Sequence, residues 1–217
     1  MGALIFDMDG VLIDGEPLHF TAARTILAQE GADLDLDTYQ GYIGKTADFI
    51  WPDMQARFGL RISRDEYSRR YDALVLEQYR TQSQAMPGAR ALLQRVGDAG
   101  LPTALASSSR RGWVDAALDA MDMRSFFHVI VTGDEVQRGK PDPEIYLTAA
   151  AKLNHDPGHC LVIEDAPAGI DSARGAGMRV VAVRTAMTAG LPLEGAERII
   201  DSLDDFDLDW VREGCRT

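Results

Sequence analysis

The chain has 217 residues, 46% of them hydrophobic, and carries a formal net charge of −12. That length supports one substantial core with a smaller second one. The acidic balance argues against a nucleic-acid partner, because such binding rests on Lys and Arg neutralising phosphates. No apolar stretch approaches the roughly 20 residues of a membrane helix. The opening apolar run is cut at Asp7, so no signal peptide or membrane partner is expected. Two cysteines, Cys160 and Cys215, form no disulfide framework, which suits a reducing compartment, and the expected location is cytoplasmic.

In chain order, the first element is a short apolar run from Ala3 to Phe6 that ends in Asp7-Met8-Asp9-Gly10. From Glu16 to about Tyr79 the pattern is helical, with Ser63 and Glu66 spaced as a capping box ahead of Tyr67, Tyr71 and Leu74. Further apolar runs follow at Thr103–Ala106, Val129–Thr132, Cys160–Ile163 and Arg179–Val183. Helical spacing separates them, as at Leu92, Leu93 and Val96, and at Ile145, Ala149 and Leu153.

Short apolar runs alternating with helices predict an α/β protein with a doubly wound, Rossmann-like parallel sheet. The interval between the first two runs is far longer than one crossover needs, so an all-helical cap domain is expected to be inserted there. Residues 1–14 and 85–217 would form the core and residues 15–84 the cap. The expected hinges are Asp14-Gly15 on entry and Thr81 to Gln84 on return.

In open parallel sheets, ligands bind beyond the carboxyl ends of the strands. Here those ends carry Asp7 and Asp9, then Ser107, Ser108 and Ser109, then Glu164 and Asp165, and Lys140 follows the third run on the same edge. A lone Asp after a strand is more often a turn cap, and a lone Lys is more often solvated. Four carboxylates converging on one edge change that balance, because buried like charges require a bound cation or a raised pKa. A magnesium ion suits such a set and also bridges to phosphate. Ser107 and Lys140 then offer a hydrogen bond and a positive charge to phosphate oxygens.

These residues resemble the haloacid dehalogenase superfamily, specifically its phosphatases and beta-phosphoglucomutases with a helical cap after the first strand. The four motifs occur in order: Asp7-Met8-Asp9-Gly10-Val11-Leu12; Ser107 closing a strand; Lys140 in Gly-Lys-Pro-Asp-Pro; and Glu164-Asp165 in Ile-Glu-Asp-Ala-Pro. The resemblance implies hydrolysis of a small phosphorylated molecule, a sugar phosphate by default. Asp7 would be the nucleophile forming an aspartyl-phosphate, and Asp9 would carry protons to and from the reacting oxygens. It further implies magnesium held by Asp7, the Asp9 carbonyl and Asp165, with Glu164 ligating or ordering a water, and phosphate cradled near Ser107, Ser108 and Lys140. Candidate substrate contacts are His19 near the hinge, Lys45 in the substrate-loop-like segment Gly41 to Thr46, and Arg110. Trp51, Tyr67 and Tyr71 are expected to be cap core.

The same resemblance keeps two alternatives in play. A phosphomutase must clamp a second phosphate, yet where the mutases carry an arginine, three residues past the loop glycine, this chain has Ala47. A non-enzymatic phospho-receiver would use similar groups on a parallel sheet, but in the reverse chain order. Metal-free dehalogenases lack the second acid that Asp9 supplies. The sequence favours no oligomeric state.

Overall fold

The computed structural model describes residues 2–42, 47–186, 188 and 190–213. Strands β1 (Ala3–Phe6), β2 (Thr103–Ser107), β3 (Val129–Thr132), β4 (Cys160–Glu164), β5 (Arg179–Val183) and β6 (Arg198–Ile200) form one sheet in the order β3-β2-β1-β4-β5-β6. Every neighbouring pair is parallel. The five predicted runs are strands. The sixth, β6, has no counterpart in the sequence reading: it is three residues long, at the sheet edge, and exposes Ile199, so it shows no buried run.

Alternation along the strands divides the core in two. Leu4 and Phe6 of β1 face a cluster with Leu92, Leu93 and Val96 of α5 (Ala89–Asp98) and Val114, Ala117 and Leu118 of α6 (Arg111–Ala120). Ala3 and Ile5 face the opposite side, against Ile145 and Ala149 of α7 (Glu144–Leu153) and Ile170 and Ala173 of α8 (Pro167–Gly175). A short α9 (Asp209–Glu213) adds Val211 to the first cluster. Strands apolar on both faces are what a sheet covered by helices on both sides requires.

Among the described residues, four helices lie between β1 and α5: α1 (Glu16–Gln29), α2 (Leu36–Gln40), α3 (Ala47–Phe58) and α4 (Arg64–Gln82). They enclose a small core of Ala23, Leu27, Leu34, Met54 and Leu60. The Ser63 side chain accepts from the Glu66 amide at 3.2 Å, as expected of a helix N-cap. The reciprocal half of the capping box is replaced by ion pairs, since the Glu66 carboxylate takes Arg69 and Arg70. Helix α4 continues through Gln82, so the first half of the expected return hinge is helical.

The two crossings into this insertion are stitched side by side. Ile13 bridges Ala85 in antiparallel fashion, Asp14 N–H donates to the Gln84 carbonyl, and Met86 N–H donates to the Leu12 carbonyl. Just beyond, Gly88 caps α5 in the left-handed region at φ 78°, and a Cβ there would lie 2.6 Å from the Asp204 amide nitrogen. Any side chain at this position meets both backbone strain and a backbone clash. Gly88→Ala should therefore destabilise the protein by about 1–3 kcal/mol, read as a lower urea midpoint at unchanged m-value.

Candidate active site

β1 is hydrogen-bonded on one side to β2 and on the other to β4, so the chain leaves the sheet in opposite directions around it. A crevice opens at the carboxyl ends where the strand order switches. Asp7 follows β1, Ser107 ends β2 and Glu164 ends β4, which places these three side chains in adjacent registers. The resulting cleft measures about 530 Å³ and includes Asp7, Asp9, Ser107, Ser108, Lys140, Glu164 and Asp165. The predicted core residues are thus brought together.

At its base, Lys140 Nζ lies 2.6 Å from Asp7 Oδ1 and 2.6 Å from Glu164 Oε1, with its side chain 8% exposed. An ammonium has three N–H donors, so one remains for a further anion. Glu164 is held on every side: Oε1 also accepts from Tyr146 Oη at 2.7 Å, and Oε2 accepts from the Asp165 and Ala166 amides. The Tyr146 ring also lies under the ammonium, 4.8 Å from its centroid. The sequence reading gives Tyr146 no role, because a tyrosine at helical spacing reads as core.

Oxygens of Asp7, Glu164 and Asp165 lie within 4.8 Å of one another, and all three residues are buried. One ammonium among three buried carboxylates leaves net negative charge out of water, a donor set that fits a hard divalent cation. Burial pushes the Asp7 carboxyl up to about 8, with the Glu164 and Asp9 charges adding to it and Lys140 opposing. Burial also raises Asp165 well above the carboxylate range, again with Glu164 and Asp7 adding. Gly10 is required beside them. Its φ is +80°, and a Cβ would lie 2.0 Å from Asp165 Oδ2.

The Asp9 side chain turns away from this cluster. Its Oδ1 accepts from Tyr79 Oη at 2.5 Å and its Oδ2 from Ser109 Oγ at 3.0 Å. Burial raises its pKa, with those two hydrogen bonds opposing the shift. Behind Tyr79, His19 Nε2 lies 3.0 Å from Tyr79 Oη, and His19 Nδ1 lies 2.8 Å from Tyr71 Oη. Burial lowers the His19 pKa, so the ring is neutral, with one donor and one acceptor. With the Tyr79 proton given to Asp9, Nε2–H donates to the Tyr79 oxygen and Nδ1 accepts from Tyr71. The chain Tyr71, His19, Tyr79, Asp9 then aims every hydrogen toward the carboxylate.

The other expected contacts separate. Ser108 lines the cleft with its side chain exposed, while Ser107 is buried and its Oγ accepts from the Ser109 amide at 3.1 Å. Ser109, expected only as part of the serine run, is the one bonded to Asp9. Arg110 is ion-paired with Asp72 of α4 and sits 5.6 Å from the Trp113 ring centroid. Lys45 lies outside the described residues, as does Cys215. Trp51, Tyr67 and Tyr71 pack against the small core as expected, but they are only partly buried and also line a cavity.

Residues 1–177 match the family model of the haloacid dehalogenase-like hydrolases. The chain belongs to that family. It is 33% identical over 178 residues to a phosphorylated carbohydrates phosphatase of Thermotoga maritima, covering 82% of each chain. It is 32% identical over 220 residues to a beta-phosphoglucomutase of Bacillus subtilis, covering 98% of this chain and 95% of that one. Among solved structures, CbbY of Rhodobacter sphaeroides in complex with phosphate superposes with a TM-score of 0.83 at 27% identity, covering 94% of this chain and 96% of that one. The superfamily and fold class expected from the sequence hold, and with them the expectation of a phosphatase enzyme. No helix among the described residues is long and apolar enough to cross a membrane.

The raised carboxyls have a thermodynamic consequence. Folding increases the proton affinity of Asp7, so its contribution to stability is complete below the ordinary carboxylate range and is lost as pH rises through about 8. A divalent cation held by these carboxylates would take the place of that proton. In chelator, the urea midpoint should fall between about pH 5 and about pH 8.5, and added magnesium should restore it most at the higher pH. Calorimetry near pH 7 should register proton release on metal binding.

Proposed function

We propose that the chain hydrolyses a small phosphate monoester with magnesium, through an aspartyl-phosphate on Asp7. The observation that carries this is the buried Asp7 carboxylate at the floor of a cleft, joined at 2.6 Å to Lys140 and flanked by Asp165, with a second acid two residues away. In the first step an Asp7 oxygen attacks phosphorus in line and the ester P–O bond breaks. Asp9 in its acid form, which burial favours, donates its proton to the departing alkoxide. In the second step Asp9 takes a proton from water, the water oxygen attacks phosphorus, and the Asp7–phosphate bond breaks to release inorganic phosphate.

Asp7, Asp165 and the Asp9 backbone carbonyl would hold the magnesium ion, which when bound supplies positive charge to neutralise the phosphate against the carboxylates. The oxygens of Glu164 already serve Lys140, Tyr146 and two amides, so its part is to hold Lys140 and the turn after β4. The remaining N–H of Lys140 and the hydroxyls of Ser107 and Ser108 face phosphate oxygens in the same cleft. Residues 15–84 form the cap over this cleft, since Glu16, His19 and Tyr71 contribute to its lining and the paired crossings at Ile13 and Ala85 form the natural hinge.

Hydrolysis is favoured over phosphate transfer back to a sugar by the state of Arg110. Its guanidinium is matched by Asp72 instead of standing ready for a second phosphate.

Asp7→Asn should abolish phosphate release from monoesters in magnesium, measured by colorimetric phosphate assay; undiminished turnover would rule out the covalent step. Tyr79→Phe removes a donor to the ionised form of Asp9 and so should raise its pKa. The basic limb of the kcat/KM profile should then move to higher pH, where a purely structural role would lower the rate without moving that limb.

A further inference from the structure

Beside the catalytic cleft lies a second cavity of about 250 Å³. The two are continuous, since Tyr39, Tyr42, Ile50, Tyr71 and Trp113 line both. One wall is a run of aromatic rings. Trp51 and Tyr67 lie 5.3 Å apart, Tyr67 and Tyr71 are stacked at 5.8 Å, and Tyr71 meets Trp113 edge-on at 6.0 Å. His19 continues the series, 5.5 Å from Trp113 and hydrogen-bonded through Tyr79 toward Asp9. The row therefore leads from the proton-carrying carboxylate into the cavity.

Several polar groups on these walls are already engaged with one another, and of the charged residues that line the cavity, Arg64, Asp72 and Arg110, the last two are ion-paired. Tyr39 already donates to Glu16, Tyr42 to Asp53, and the Trp113 indole N–H to the Asp72 carbonyl. Tyr67 Oη, Ser68 Oγ and the Trp51 indole N–H make no hydrogen bond among the described residues, and all three residues line the cavity. A hexose carries a hydroxyl on nearly every carbon, and the aromatic faces that make up one wall offer those hydroxyls no hydrogen bond. A flat ring with apolar faces and a few edge heteroatoms matches both the stacked wall and the sparse polar groups.

We propose that the alcohol carried by the substrate bears a flat heteroaromatic ring, as in a nucleoside or flavin phosphate, with the ring against Trp51 and Tyr67 and the phosphate at Asp7. This deepens the hydrolase reading above and depends on it. A phosphopentose in a nucleoside monophosphate, or a phosphoribityl chain in flavin mononucleotide, joins ring to phosphate, while the ring supplies recognition.

The test compares kcat/KM, in magnesium, for flavin mononucleotide and a purine nucleoside 5′-monophosphate against glucose 6-phosphate and glycerol phosphate. At least one ring-bearing ester should exceed both others by tenfold or more. Trp51→Ala should reduce that ratio by about tenfold and Trp51→Phe should restore most of it, because phenylalanine keeps a stacking face. Tyr67→Leu, with folding checked by circular dichroism, provides a second reading should Trp51→Ala unfold. Equal or better turnover of glucose 6-phosphate would overturn the ring proposal and leave the hydrolase intact. An unchanged ratio in folded Trp51→Ala and Tyr67→Leu would also overturn it. Release of phosphate from none of the four esters would overturn both.

Discussion

The site depends on a single ammonium placed among three buried carboxylates. Lys140 arrives from the segment after β3 and bridges Asp7, beyond the central strand, to Glu164, at the end of the next. Without it, the ends of β1 and β4 would present uncompensated like charges to one another out of water, at a cost of several kcal/mol. With it, two negative charges are still in excess, an excess that suits a divalent cation. The fold around the site is arranged to keep this balance. Tyr146 and two backbone amides fix Glu164, and Gly10 leaves room for Asp165.

The helical insertion completes what the sheet begins. Asp9 is only two residues from Asp7, yet its carboxylate is oriented by Tyr79 and Ser109, 70 and 100 residues away along the chain. Tyr79 belongs to the last helix of the insertion and Ser109 to the loop after β2. The Asp9 carboxylate is therefore held jointly by the core and the insertion, and a change in their relative position would alter its environment directly. Arg110 and Asp72 form another tie between the same two parts, and the Trp113 indole a third.

Much of the chemistry was legible in the order of residues because a parallel sheet imposes a simple rule. Side chains just beyond adjacent strand ends become neighbours whatever connects them, so apolar runs ending in Asp, Ser and Glu-Asp already define one cluster. The alternation of Leu4 and Phe6 against Ala3 and Ile5 likewise follows from the pleat. Edge strand β6 escaped this reading because three half-exposed residues carry no such pattern. The continuation of α4 through Gln82 escaped it because polar residues at a helix end look like a linker.

What the sequence determined by itself was the set of side chains that meet in the cleft, Asp7, Asp9, Ser107, Lys140, Glu164 and Asp165, and the superfamily the chain belongs to. Tertiary structure alone decided how those groups are held and what surrounds them. Tyr79 lies 70 residues from the Asp9 carboxylate it bonds, and Tyr71 lies 52 residues from His19. Aromatic residues at helical spacing read as core, and Trp51, Tyr67 and Tyr71 do pack as core on one side. Only the way α3, α4 and α6 meet turns their other side into a cavity opening onto the cleft. Local periodicity specifies which face of a helix is apolar, whereas the space left between faces depends on how helices from distant parts of the chain approach one another.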